Sequence, residues 1–401
     1  MLVDQLVFRH FWNVLAVAGA LAEWTLWCWL AGSPRAELHL LVPPALALTN
    51  RLAARVFERE PGSGPLLDGL GRVLSALAFA AIAGAGALGA TACVWATLQL
   101  LGALRAEAGT VGPDLVAELF GPGFAPLAGS AMALVMGAVA YGYAWGHRRL
   151  VVTHVTVPVA QLPPTLAGLR LVHVSDLHVG PIADRGALRE ALDRVVALDP
   201  DVVCVTGDIV DSRATDLDAW IPELARLSAR HGVFAILGNH DLFAGADRIA
   251  AAIARFTTWR VLRDEVATLD VDGARLHLLG LDHRAVPHAV AQLPALVGAV
   301  PPGEPAILLA HHPDVFPAAA TAGVSLTLAG HTHGGQLAVP GLPRLNPARL
   351  QLSRFDAGCF TQGRAHLHVN RGLGTSAQRV RIGVPREITV VTLAASEAAA
   401  A

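Results

Sequence analysis

Five short segments, far apart in the chain, carry a concentration of metal-ligating side chains. They are "SDLHVG" (175–180), "TGDIVD" (206–211), "LGNHD" (237–241), "LAHH" (309–312) and "AGHTHGGQ" (329–336). Together they supply Asp176, His178, Asp208, Asn239, His240, Asp241, His311, His331 and His333. Imidazole nitrogens and carboxylate oxygens suit borderline divalent ions such as Mn, Fe, Zn or Ni. The cysteines Cys28, Cys93, Cys204 and Cys359 are scattered, so neither a disulfide framework nor a thiolate zinc site is indicated. These donors are too many for one ion. Two ions sharing a carboxylate would use them, and Asp208 is the natural bridge because its cluster holds the fewest competing ligands. Two ions about 3.5–4 Å apart can hold a bridging hydroxide and clamp a phosphoryl group during in-line attack.

Each cluster closes a short apolar run. "LRLVHVSD", "DVVCVTGD", "VFAILGNHD", "PAILLAHH" and "VSLTLAGH" read as five near-continuous buried strands. Amphipathic helices are predicted between them near Arg185–Leu198, Leu217–Arg230, Ala246–Arg255 and Val290–Val297. Residues 259–282 read as strand–turn–strand about the "DG" at 272–273. Alternation of this kind predicts an α/β domain whose parallel strands bring their carboxyl ends, and hence the polar clusters, to one edge.

The rest of the chain has a different texture. The sequence is 53% hydrophobic and 15% charged, with a formal charge of −2 and a mean hydropathy of +0.49. Nothing in that balance suggests a nucleic-acid partner. Much of the apolar excess lies before residue 147. Phe11–Ala31, Val73–Leu104 and Gly123–Trp145 are each long enough to span a bilayer, and Leu38–Ala53 is a shorter fourth segment. With four spans, Arg9, Arg51, Arg55, Arg59, Arg72, Arg148 and Arg149 share one side, and Arg35 and Arg105 fall on the other. That asymmetry predicts a multi-pass protein of the inner membrane with its catalytic part in the cytoplasm. The expected domains are a transmembrane helical region over 1–149, an α/β domain over 150–394 and a disordered tail over 395–401.

The ordered motifs "DLH", "GDIVD", "GNHD", the histidine after "ILLA" and "GHTHGGQ" resemble the calcineurin-like metallophosphoesterase family, over roughly Leu169–Leu393. The closing "LHVNRGLGTSAQRVRIGVPREITVVTL" resembles its membrane-associated bacterial branch. The resemblance implies a metallo-dependent phosphatase-like α/β sandwich after the multi-pass helical region. It implies one metal held by Asp176, His178, Asp208 and His333, and a second held by Asp208, Asn239, His311 and His331. His240 would stabilise the transition state or protonate the leaving oxygen, with Asp241 orienting it. One relative of that branch hydrolyses UDP-2,3-diacylglucosamine, so lipid-linked phosphomonoesters, diesters or pyrophosphates are among the implied substrates.

Outside the motifs, Arg371 and Arg381 are candidates for binding substrate phosphate, as is Arg379. Asp211 is expected to cap a helix or support a ligand, His312 to neighbour one, and His173 to pack against the sheet. Two departures from the family stand out: "GLDHRAVPH" (280–288) lacks the expected acidic loop, and Arg386 sits where relatives carry a glutamate after proline. The expected activity is therefore that of a membrane-anchored dinuclear phosphoesterase. The alternative is a membrane transporter or sensor regulated by a phosphoesterase domain.

Overall fold

β-Branched residues dominate strands such as Val202–Thr206, because two heavy atoms on Cβ favour the pleated conformation and fill the space between layers. In this computed structural model the described residues are 17, 20, 24, 41–48, 51, 65–105 and 124–396, apart from 181–182, 213, 215, 283–284, 347, 350–351 and 377. They divide into two compact units, Met1–Tyr141 and Gly142–Ala401.

The second unit holds twelve strands in two six-stranded sheets. The first sheet runs β1 (Leu150–Val159), β12 (Arg386–Ala395), β2 (Arg170–Val174), β3 (Val202–Thr206), β4 (Val233–Ile236) and β5 (Arg260–Val261). The second runs β10 (Gly358–Gln362), β11 (Ala365–Val369), β9 (Leu326–Ala329), β8 (Ala306–Leu309), β7 (Ala274–Gly280) and β6 (Glu265–Val271). Strands β2 to β5 pair in parallel, as do β7, β8, β9 and β11.

Alternation of side chains assigns each residue to a layer. Leu171, Val202, Cys204 and Ile236 of the first sheet meet Leu276, Leu278, Ile307 and Leu328 of the second, and form the core between sheets. Val172, Val174, Val203 and Val205 point the other way, onto the helices over Arg185–Ala197, Leu217–Leu224 and Ala246–Phe256. Leu279 and Leu308 meet Leu293 and Leu296 of the helix Val286–Gly298. The result is a helix–sheet–sheet–helix sandwich. The predicted "DG" turn is present, with Asp272 and Gly273 both at positive φ, as a two-residue hairpin requires. The predicted helix over Leu217–Arg230 stops at Leu224. Pro222 lies inside it, and the chain tightens into i→i−3 bonds at Ala225, Arg226 and Leu227. In the expected tail, Ser396 still donates its N–H to the Val159 carbonyl, and residues 397–401 lie outside the described ones.

The expected multi-pass helical region is corrected. Among the described residues one helix is long and apolar enough to cross a membrane, the 25-residue Phe124–Arg148. The expected span Val73–Leu104 falls within a single 41-residue helix, Pro65–Arg105. Its apolar described stretch is only Phe79–Trp95, about 26 Å at 1.5 Å per residue against a hydrocarbon core of about 30 Å. Of Leu38–Ala53, residues 41–48 and 51 are helical and the rest lie outside the described residues. The expected span Phe11–Ala31 lies outside the described residues, save Val17, Ala20 and Trp24. The arginine parity that placed the catalytic part in the cytoplasm presupposed four spans. With one candidate span among the described residues, the multi-pass inner-membrane topology and that orientation both fall.

Candidate metal centre

The carboxyl ends of β2, β3, β4, β8 and β9 deliver the five polar clusters to one edge of the sandwich. Local backbone geometry there is unusual. Asp176, His178, Asp208, His331 and His333 all have positive φ, between 45° and 72°, a region costly for residues with a Cβ and concentrated at functional sites. The turns turn their side chains inward at the point where each strand ends. At Gly207, whose φ is +88°, a Cβ would lie 2.6 Å from His311 Nδ1. Glycine is therefore required between β3 and Asp208.

The donors gather in two lobes. In one, Asp176, His178 and His333 converge. His178 Nε2 lies 3.0 Å from His333 Nε2, and His333 Nε2 lies 3.4 Å from Asp176 Oδ1. In the other, Asp208, His311 and His331 converge. There His311 Nε2 is 3.1 Å from Asn239 Oδ1 and 3.3 Å from His331 Nδ1, while His331 Nδ1 is 3.0 Å from Asn239 Oδ1. Asp208 Oδ2 stands between the lobes, 3.6 Å from His178 Nε2 and 3.3 Å from His311 Nε2. Ligands bound at about 2.1 Å and at angles of roughly 90–110° lie about 3.0–3.4 Å apart, so these spacings fit shared ions.

Protonation fits in one lobe, whereas against its burial His311 is pushed up to about 9 by Asp208, so that a metal bound there would displace a proton. Burial, reinforced by His240, pushes His178 down to about 3. Burial, with His178 and Arg381 adding, holds His333 well below the usual histidine range. Both rings are thus neutral, the state a metal ligand needs. Burial opposes ionisation of Asp208, yet the neighbouring His311 and His240 hold its carboxyl well below the usual range. Burial pushes Asp176 up to about 7, opposed by His311 and aided by Asp208. Among the described residues the buried Nδ1 of His178 has no hydrogen-bond partner. The donor clusters fit two divalent cations, of undetermined identity.

Supporting contacts fix the donors. His311 Nδ1 lies 2.8 Å from the Thr206 carbonyl, so it donates there and leaves Nε2 for the centre. The Asp241 carboxylate accepts the N–H groups of Ile209, Val210 and Gly238 at 2.8–3.1 Å. These bonds tie the Asp208 turn to the Asn239 turn. His240 donates its backbone N–H to Asp208 Oδ1 at 2.8 Å, and its Nδ1 accepts from the Ser212 N–H at 3.3 Å. Its ring meets His178 edge to face at 4.6 Å.

The remaining predicted residues are placed as follows. Arg371 forms a two-pronged ion pair with Glu387, at 2.8 and 2.9 Å. Arg381 is 1% exposed and donates to the carbonyls of Arg371 and Gly374, with His333 Nδ1 at 3.3 Å. Its guanidinium therefore braces the turn beside His333. Arg379 faces Asp184 at 4.0 Å, and His312 stacks obliquely on His331. Arg386 is buried and donates to the carbonyls of Ala187 and Arg148. His173 is buried and enters a polar chain that sequence reasoning missed. Its Nε2 lies 2.8 Å from Thr206 Oγ1 and its Nδ1 lies 3.1 Å from His368 Nδ1. The available signal was parity: His173, Cys204 and Thr206 occupy the face between the sheets, where a polar group must find a partner.

The calcineurin-like phosphoesterase family matches residues 169–335 of this chain. The metallophosphoesterase YkuE of Bacillus subtilis is 30% identical over 273 residues, which cover 65% of this chain and 93% of YkuE. The chain belongs to the calcineurin-like phosphoesterase family. It is similar as well to two vertebrate proteins named as transmembrane proteins with a metallophosphoesterase domain. The Bos taurus protein is 32% identical over 260 residues, and the Danio rerio protein 30% over 280. These matches cover 61% and 65% of this chain but only 57% and 62% of those relatives. The relatives reach from bacteria to vertebrates. Family and donor clusters together make this calcineurin-like phosphoesterase a metal-dependent phosphoric ester hydrolase.

Proposed function

We propose that the chain hydrolyses phosphomonoesters or diesters at a dinuclear centre built by Asp176, His178, Asp208 and His333 on one side and Asp208, Asn239, His311 and His331 on the other. The observation that carries this reading is Asp208 Oδ2, which faces a histidine of each lobe within 3.6 Å. Two divalent ions held there would supply Lewis-acid stabilisation of the phosphoryl oxygens and a water acidified for attack. His240 accepts the Ser212 N–H at Nδ1, so its neutral ring carries the proton at Nε2. That proton is the one available to a leaving oxygen. Asp241 is a positioning residue, since its carboxylate is spent on backbone N–H groups. Arg371 and Arg381 serve the same end through Glu387 and the turn carbonyls.

Among the described residues, the apolar helix Phe124–Arg148 supports a one-span attachment to a bilayer. Attachment so close to β1, which starts at Leu150, holds the centre near the lipid surface and favours a lipid-linked phosphoester as natural substrate. Hydrolysis of bis(p-nitrophenyl) phosphate and p-nitrophenyl phosphate by the full chain with added Mn²⁺ tests the reaction. The Asp208→Asn variant is expected to lose activity by at least about 100-fold, since even indirect supports of a ligand are worth 10–100-fold. Its bound metal should fall below two ions per chain by elemental analysis. Turnover by Asp208→Asn at the parent rate would sink the dinuclear reading.

A further inference from the structure

Directly after the last histidine the chain makes a tight excursion over 337–346. Its tip is held by backbone bonds from Leu342 to the Val339 carbonyl, from Leu345 to Leu342, and from Val339 to Leu345, at 2.8–3.2 Å. Its base is pinned by Asn346, which donates to Asp356 Oδ2 and the Pro343 carbonyl, each at 2.7 Å. An ordered loop of this kind should bury its aliphatic side chains, yet Val339, Leu342 and Leu345 are 48%, 55% and 60% exposed. Pro340, Gly341 and Pro343 between them are exposed too. From Leu337 to Phe355 the sequence holds Arg344, Arg349 and Arg354, all exposed, and the nearest carboxylate in sequence is the buried Asp356, which pairs with Arg349 at 3.4 Å. An apolar prow ringed by arginines matches a bilayer surface carrying anionic headgroups.

A second observation points to the same partner. Leu337 bridges Ile382, and Ala338 donates its N–H to the Ile382 carbonyl at 2.8 Å. On the other side of this segment lies Gly142, in the last turn of the apolar helix. A Cβ there would come within 2.6 Å of Val380 and 2.8 Å of Ile382. The base of the loop and the end of the candidate span are therefore built on the same three residues, Val380–Ile382. Trp145, 67% exposed, and Arg148 follow that turn, residue types that settle at a membrane–water interface.

We propose that the Val339–Leu345 tip is a bilayer-docking element. Its aliphatic side chains enter the boundary between headgroups and acyl chains of an anionic membrane, and Arg344 and Arg354 take the lipid phosphates. The proposal rests on the one-span attachment read above, and adds a second contact that fixes how the metal centre faces the lipid.

The test places the full chain in nanodiscs of equal parts phosphatidylcholine and phosphatidylglycerol, with and without brominated acyl chains. Leu342→Trp is compared with the parent chain, and Leu345→Trp is made as a second reporter. Docking predicts that brominated lipid removes most of the emission added by either tryptophan, and that acrylamide hardly touches it. Added emission quenched by acrylamide and not by brominated lipid would overturn the proposal. Emission shielded from both quenchers would mean a protein partner, such as a second copy, and would overturn it equally. The parent's own tryptophans report separately on attachment: if brominated lipid spares them as well, the one-span reading fails with it. Retained hydrolysis of bis(p-nitrophenyl) phosphate shows that fold and centre are intact in each variant.

Discussion

His173 is three residues upstream of Asp176 and never reaches the centre, yet it is tied to it through Thr206. The Thr206 hydroxyl meets His173 Nε2, and the Thr206 carbonyl receives His311 Nδ1. Burial holds His173 well below the usual histidine range and His368, beside it, at about 4. Two neutral rings therefore share one hydrogen bond. Removing one ring strands Thr206 Oγ1 and His368 Nδ1 in a dry layer, each at a cost of about 1–3 kcal/mol. His173→Ala is expected to lower stability by about 2–4 kcal/mol, cavity included. It should also weaken Mn²⁺ binding by about tenfold through the slackened His311. Thermal unfolding reads the first effect and metal titration the second. An unchanged Mn²⁺ affinity would reduce His173 to a packing role.

At the scale of elements, each metal-facing turn is a strand end bent into the left-handed region. That conformation separates side chains that the strand would otherwise carry past one another. The turn after β3 is the most constrained, because Gly207 must pass His311 at φ +88°. Gly207→Ala is expected to destabilise by about 2 kcal/mol or more, from the strained φ and from displacement of His311. Hydrolysis should fall with it, and added Mn²⁺ should restore less than the parent rate. Kinetics across a Mn²⁺ series would show this, and a variant saturating at the parent rate would refute it. Strand β12 has a related task. It lies between β1 and β2, and its Glu387 anchors Arg371, which precedes the glycine turn that Arg381 braces.

For the whole molecule, folding brings carboxylates and imidazoles from five strand ends into a buried cluster. Burial of these carboxylates away from water disfavours the metal-free state. Asp241 is pushed up to about 7 by burial and, after it, by the nearby Asp208. A ligand that binds only the folded chain stabilises it by RT ln(1 + [L]/Kd), about 2.7 kcal/mol at one hundred times Kd. Chelation is therefore expected to abolish hydrolysis and to lower the unfolding temperature of the second unit, both reversed by Mn²⁺. Calorimetry with and without chelator checks this. An unfolding temperature indifferent to metal would mean that the cluster is held together by its hydrogen bonds alone.

What the sequence determined on its own was the five strands that carry the motifs, their order along the chain and the polar residues that close each. Those features are local: β-branched runs such as "VVCVT" and glycine-flanked clusters such as "GNHD" carry their own signal. Tertiary structure decided what depends on residues far apart. The return of β12 between β1 and β2 pairs positions more than 200 residues apart along the chain, and no local pattern encodes such pairing. The directions of Arg371 and Arg381 depended on Glu387 and on turn carbonyls that become neighbours only after folding. The buried His173–His368 pair likewise joins strands of different sheets. Composition overstated the membrane part for a related reason. Hydropathy sums over a window, whereas crossing a bilayer needs an unbroken apolar helix of sufficient length, a condition met among the described residues by Phe124–Arg148 alone.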